Sequence, residues 1–314
     1  MMMRDAMLLP LLVSAALWLI GKRLGRWLPP ATAVRLLSVA ALVTALSTGF
    51  VLSIAAFLVL ARAPFIAALG RWSPAIVSLN EPFPTSAGLL AGAMVLVFLS
   101  ASLRRFALAG RDLATAAAAC RRLGPGADGL VILNNEEPDA YSLPGLTGRV
   151  VVSTAMLRAL SAQERRVLLA HEVAHLKHHH HVYIQLAELA AAANPLLRPL
   201  AVAVRESAER WADEGAAEAV GDRRLAARAL ARAALARAIA SPGRRLAPLA
   251  TLPAVDSGVA HRALALLAPR PRRRRWLAVA VAALVLAPLA ASAITARDTE
   301  HRFELAQAAY SGPR

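Results

Sequence analysis

The chain has 314 residues, 57% of them hydrophobic, and a mean hydropathy of +0.50, which excludes an ordinary soluble domain and fits membrane spans joined to a water-exposed portion. Its formal charge is +16, yet many arginines flank apolar stretches, where the positive-inside rule accounts for them, so no nucleic-acid partner is expected. The single cysteine, Cys120, excludes an intramolecular disulfide and permits a reducing compartment.

A membrane-crossing helix needs roughly 20 apolar residues. The first candidate runs from about Met7 to Ile20. It has only Arg4 ahead of it and Lys22, Arg23 and Arg26 behind, the wrong flanks for a cleaved signal peptide, and reads as a retained span. The second, about Leu36 to Leu60, carries no charge, and the third covers about Ala87 to Leu103. Alanine-rich Asp112–Leu123 predicts a helix that Gly124-Pro125-Gly126 ends. Leu130–Leu133 and Arg149–Val152 are short β-type runs separated by turn residues, read as an antiparallel pair or small sheet.

Ser161-Ala162-Gln163-Glu164 is a capping box that starts a helix. On that helix lies His171-Glu172-Val173-Ala174-His175. Histidines at i and i+4 share one face and reach a single ion, while the intervening glutamate sits where it can take a proton from water at the metal. Two imidazoles and a carboxylate favour zinc, Zn2+, one per chain, with a position left for water. The run His178–His181 places His181 at metzincin spacing, but that pattern needs a glycine where His178 stands, and no methionine follows for the Met-turn. These histidines read instead as favourable company for a helix C-terminus.

Val182–Val204 is apolar but interrupted by Glu188, Asn194-Pro195 and Arg198, and reads as a buried or half-inserted helical hairpin rather than a fifth span. A third ligand should come from a separate element, and Glu206–Glu214 offers it. Glu209 and Asp213 are one turn apart, so one can bind the metal while the other holds a ligand histidine. Pairing of these acids with Arg205 and Arg210 on a solvated face stands as the equal alternative by spacing, and Glu206 as the fallback ligand. Arg224, Arg228 and Arg232 mark a solvated or headgroup-facing stripe on a helix over 221–240. The arginine cluster at residues 270–275 precedes a fourth span, about Trp276 to Thr295. Counting Lys and Arg in the short loops puts the N-terminus and the 62–86 loop outside, and the 21–35 loop and residues 104–275 inside.

His171-Glu172-x-x-His175 on its capped helix, preceded by Tyr141-Ser142-Leu143-Pro144-Gly145 and Arg149-Val150-Val151-Val152-Ser153, resembles the gluzincin membrane peptidases, of the HtpX and CAAX-protease type and of the beta-lactam-sensor (BlaR/MecR) type. Glu209-x-x-x-Asp213 is similar to their third-ligand motif. Asn194-Pro195-Leu196, with three spans before and one after the motifs, leans toward the sensor type. The sensor type carries a large domain after its last span where Ala296–Arg314 stands here, and no His-Pro pair precedes Arg262 as in the HtpX type.

The resemblance implies a mostly α membrane protein of about four transmembrane helices with an inserted α+β zincin-like metallopeptidase domain. It divides into a membrane domain over 1–105, a cytoplasmic peptidase domain over 106–270, and a fourth span with a short outer tail over 271–314. It further implies a multi-pass protein of the cell membrane, with the lipid bilayer and a protein or peptide substrate as partners. His171, His175 and Glu209 would bind zinc, Glu172 would act as general base, Asp213 would orient a histidine, and Arg262 or His261 would stabilise the transition state. The strand Arg149–Val152 is expected to offer an edge to an extended substrate. The alternative is a non-catalytic membrane signalling or scaffold subunit with a structural metal.

Overall fold

A computed structural model describes residues 3–79, 82–123, 128–145, 148–240, 252–269 and 275–311. The Gly124-Pro125-Gly126 turn and the arginines at 270 and 272–274 lie outside the described residues. In chain order the helices α1 (Met3–Trp27), α2 (Pro30–Leu60), α3 (Pro64–Gly70), α4 (Pro74–Ser78) and α5 (Thr85–Arg122) lead into strands β1 (Leu130–Leu133), β2 (Ala140–Leu143) and β3 (Arg149–Ser153). Helices α6 (Thr154–Ala159), α7 (Ala162–Lys177) and α8 (His180–Ala193), a 3-10 turn (Pro195–Leu197), and α9 (Arg198–Val220), α10 (Arg223–Ala240), α11 (Leu252–Leu267) and α12 (Arg275–Ser311) complete the chain.

Four helices among the described residues, α1, α2, α5 and α12, are long and apolar enough to cross a membrane. The third expected span and the expected helix at 112–123 form one element, because nothing between Leu103 and Asp112 breaks a helix. At 38 residues, α5 is about 57 Å long, well beyond the ~30 Å that a hydrocarbon core requires, and its C-terminal end reaches the sheet. There Arg149 Nε donates to the Cys120 carbonyl at 3.4 Å. Likewise α12 continues past the expected fourth span. Its Ala306 packs with Met3 and Met7 of α1, Leu58 of α2 and Val77 of α4, and its carbonyl accepts from Ser73 N at 2.9 Å. The N-terminus, the 62–86 segment and the tail thus share one end of the helix bundle, as the charge count requires of them.

Val182–Val204 forms the expected helical hairpin, packed against α1 and α2. Helix α8, with 14 residues, is about 21 Å long and too short to span. It stops at Asn194, which is 3% exposed. The Asn194 amide donates to Ser14 Oγ at 2.8 Å and Thr48 Oγ1 at 3.3 Å, while its Oδ1 accepts from Leu196 N. Ser14 lies near the middle of α1, so the hairpin tip packs against the centre of that helix with its buried amide satisfied. Ala187, Ala190, Leu200, Ala203 and Val204 of the hairpin join Leu17 and Leu24 of α1, Val34 and Leu37 of α2 and Val281 of α12 in the largest core.

Small residues let α9 approach α1. A Cβ on Gly25 would lie 3.0 Å from Ala203 Cβ, and one on Gly21 would lie 3.1 Å from Leu200 Cδ1, a small-xxx-small contact. Arg210 Nη1 donates to the Gly25 carbonyl at 3.0 Å across the same seam. Gly25→Leu is therefore expected to lower stability by about 1–3 kcal/mol, read as a lower melting temperature in detergent. A Gly25→Leu protein that melts like wild type would show that the seam is not tightly packed.

The sheet order is β1-β3-β2, with β1 parallel and β2 antiparallel to β3. Two expectations are corrected here. The two predicted runs pair in parallel rather than antiparallel, because β2 intervenes in sequence and takes the antiparallel place. And Arg149–Val152 is the central strand with a neighbour on each side, so it has no edge to offer. Its residues Val150, Val151 and Val152 are buried, as a centre strand's should be.

Candidate active site

Helix α7 begins as the sequence predicts. Ser161 Oγ accepts from Glu164 N, and Glu164 Oε2 accepts from Ser161 N at 2.9 Å. Burial works to raise the Glu164 pKa, but the Ser161 hydrogen bonds and Arg232 outweigh it and hold the carboxylate below its ordinary value. Arg232 Nη1 lies 3.1 Å from Glu164 Oε2 while its side chain stays exposed, so the α10 stripe keeps its solvated character there too. Arg224 and Arg228 remain exposed.

Three turns on, the face of α7 carrying His171 and His175 meets α9, and Gly215 permits the approach, since a Cβ there would lie 3.4 Å from Ala174 Cβ. Glu209 of α9 faces both imidazoles. His171 Nε2 and His175 Nε2 are 3.2 Å apart, and Glu209 oxygens lie 3.7 Å from the first and 3.6 Å from the second. Zinc–nitrogen and zinc–oxygen bonds of about 2.0–2.2 Å imply tetrahedral edges of about 3.3–3.5 Å. These separations are close to such edges, with one Glu209 oxygen toward each imidazole, and one ligand atom from each residue lies within 4.8 Å of the others, so the group can hold one metal ion. Glu206, the fallback, is exposed and is not part of this group. Neither arginine of the alternative reading takes Glu209 or Asp213: Arg205 pairs with Glu188, and Arg210 reaches Gly25.

Asp213, 5% exposed, lies behind His171, with Oδ1 3.1 Å from Nδ1. Arg262 of α11 grips the same carboxylate with two hydrogen bonds of 2.7 Å, from Nε to Oδ2 and from Nη2 to Oδ1. Its third nitrogen, Nη1, is 2.9 Å from Glu209 Oε2. The Arg262 guanidinium therefore faces the two supporting carboxylates, while His261 is exposed. Burial would raise the Asp213 pKa, but Arg262 and His171 hold it down to about 2. For His171, burial disfavours the cation, yet Asp213, Glu209 and Glu172 together raise its pKa. The same anionic surroundings favour a dication.

Glu172 is 7% exposed and is not one of the three ligand atoms. Its pKa is raised, chiefly by burial and further by Glu209, against the lowering pull of His171, Arg237 and a hydrogen bond with Ser142. A carboxylate moved up toward neutrality suits a general base. Ser142 and Arg237 were not among the residues the sequence singled out as functional. Arg237 reaches the site from α10 by donating to the Ala140 carbonyl at 3.0 Å, and it lies 3.5 Å from Asp139.

Of the run His178–His181, His178 stands at the C-cap of α7, as the helix-end reading expects, whereas His180 opens α8 and is fully buried. His179 turns the chain between α7 and α8 with φ 51°, and His180 Nδ1 arrives 3.0 Å from His175 Nδ1. Burial lowers its pKa to about 3, so it is neutral. Its five-residue offset from His175 was the only available signal.

The site opens into a cavity of about 360 Å³. One wall is the polar set just described. The other is apolar, with Val167 and Leu168 of α7, Ala229 and Ala233 of α10 and Leu266 of α11, and β2 runs along its rim through Ala140, Tyr141 and Ser142.

Paired helices presenting two histidines and a facing carboxylate, with a buried glutamate beside them and a cavity open to the site, fit a metallopeptidase. The chain belongs to peptidase family M48, whose profile matches residues 110–278. It is a metallopeptidase that hydrolyses peptide bonds, in a family of zinc enzymes. No curated protein and no solved structure matches it.

Proposed function

We propose that the protein is a multi-pass membrane endopeptidase cleaving cytoplasmic or membrane proteins, with one zinc held by His171, His175 and Glu209. The observation that carries this reading is the convergence of His171, His175 and Glu209 ligand atoms on one point, with Glu172 buried next to them. When bound, zinc supplies a Lewis acid that polarises the scissile carbonyl and acidifies a water molecule. Glu172 accepts the proton of the attacking water and delivers it to the leaving amine. Asp213 fixes the ring of His171, and Arg262 fixes Asp213 and Glu209.

An extended substrate pairs along β2, the edge strand that lines the cavity. Since Asp139 O accepts from Ser153 N, alternate residues face β3, and the main-chain groups of Ala140 and Ser142 face outward. Arg237 and the Asp139 side chain take the Ala140 groups, which directs a peptide toward Ser142 beside Glu172.

The charge asymmetry of the loops supports a cytoplasmic peptidase domain over residues 106–270, between a membrane domain at 1–105 and a final span and tail at 271–314. The boundary at 105 falls inside α5, so the two parts are joined by continuous helix. Three spans before and one after the metal motifs, with Asn194-Pro195-Leu196 between them, support a layout like that of the sensor type, while the match itself reaches only to the family.

Purified full-length protein in detergent should contain about one zinc per chain and cleave casein, and a chelator should abolish cleavage until zinc is restored. Cleavage that persists after complete zinc removal would overturn the reading.

A further inference from the structure

Two histidines hold the metal in the reading above, and each needs its outward nitrogen protonated so that the inward one can donate its lone pair. His171 has Asp213 as acceptor. Against His175 Nδ1 stands His180 Nδ1, at 3.0 Å. We propose that His180 is the positioning residue for His175, accepting from its Nδ1–H and so directing Nε2 to the metal.

This rests on His175 being a metal ligand, and the geometry leaves two arrangements of one proton. If His180 accepts at Nδ1, its own proton is on Nε2 and His175 Nε2 is bare. If His180 donates from Nδ1, His175 must be protonated on Nε2 and cannot bind a metal. Metal occupancy and the tautomer of His180 are therefore linked.

The surroundings are built to hold this ring. His180 is 0% exposed, and its Nε2 has no hydrogen-bond partner among the described residues. Such a group is retained at a cost in stability. Trp211 packs against it at 4.8 Å between ring centroids, and His178 lies at 5.8 Å in a stacked arrangement. Trp211 is itself covered by His178 at 4.4 Å and by the Arg35 guanidinium of α2 at 4.8 Å. The left-handed turn at His179 delivers the ring, a conformation that few side chains adopt but histidine tolerates better than most. A fully buried imidazole wedged by two aromatic rings has one orientation, and so does the ligand it touches.

The test compares His180→Phe, which keeps an aromatic ring without an acceptor, with His180→Asn, whose amide oxygen can accept. Zinc affinity of the full-length protein in detergent is measured by competition with a chromophoric chelator, alongside the melting temperature of the zinc-free form. Removing such a partner is expected to weaken zinc about 10–100-fold. H180F should show that loss and H180N should stay within a few-fold of wild type.

An H180F protein that melts like wild type and binds zinc equally well would overturn the proposal. So would H180N binding as weakly as a folded H180F. Nitrogen-15 NMR of the zinc-loaded wild type gives a readout independent of any substitution: His180 should carry its proton on Nε2, and a proton on Nδ1 overturns the assignment. A wild-type protein that takes up no zinc at all overturns the metal reading itself, a result distinct from uptake that ignores His180.

Discussion

Glu172→Gln should keep its zinc and lose about 10²–10⁴-fold in peptidase rate, the range a positioned acid–base group supplies. The three candidate ligand atoms come from His171, His175 and Glu209, so an amide at position 172 leaves the metal triangle intact. Glutamine has the same shape as glutamate and can still engage Ser142. It cannot take a proton from water at neutral pH. The measurement is turnover of a casein peptide by protein whose zinc content has been determined on the same sample. A Glu172→Gln enzyme with full zinc and an undiminished rate would remove Glu172 from the chemistry.

The second large effect is expected at Arg262. Its guanidinium is the cation paired with Asp213, which is 5% exposed, and it also reaches Glu209 at 2.9 Å. Arg262→Ala strands a buried carboxylate. Breaking such a pair on one side costs about 3–5 kcal/mol, and the loss of support for His171 and Glu209 should weaken zinc about 10–100-fold. Arg262→Lys should recover only part of this, because an ammonium cannot form the two-pronged contact with Asp213. Adding Asp213→Asn to Arg262→Ala removes the unpaired charge and should regain stability without regaining zinc affinity, a coupling that a double-mutant cycle measures. If Arg262→Ala instead kept wild-type stability and zinc affinity while kcat alone fell, Arg262 would be acting on the reacting carbonyl, the role implied by resemblance.

The helix-level features were legible because their causes are local. The capping box at Ser161 and Glu164 and the four-residue spacing of His171 and His175 depend only on helix geometry. The four apolar runs announce themselves by length, and the Asn194-Pro195 break by the chemistry of proline. Helix ends were less legible. Third-span residues 87–103 and the helix at 112–123 are one α5, since the arginines between them mark where a helix leaves lipid and do not end it.

Strand direction and order were less legible for a different reason. The two apolar runs do pair, but in parallel, and the short Ala140–Leu143 strand that takes the antiparallel place has only weak β character. Which strand is central follows from burial against α6 and α7, a matter of packing between elements.

The opening property, an apolar chain too long in hydrophobic runs for a soluble domain, together with the His171–His175 motif, was determined by sequence alone. Periodicity and residue chemistry settle both without knowledge of any distant contact. Resemblance favoured Glu209 over Glu206 where spacing did not, and tertiary structure brings Glu209 to the two imidazoles and sets Arg262, 49 residues beyond Asp213, against that carboxylate. It also buries His180 against His175. Each of these depends on where α9, α11 and the α7–α8 turn come to rest, and that is set by helix-on-helix packing through small residues such as Gly25, Ala203 and Gly215, whose partners no local pattern names.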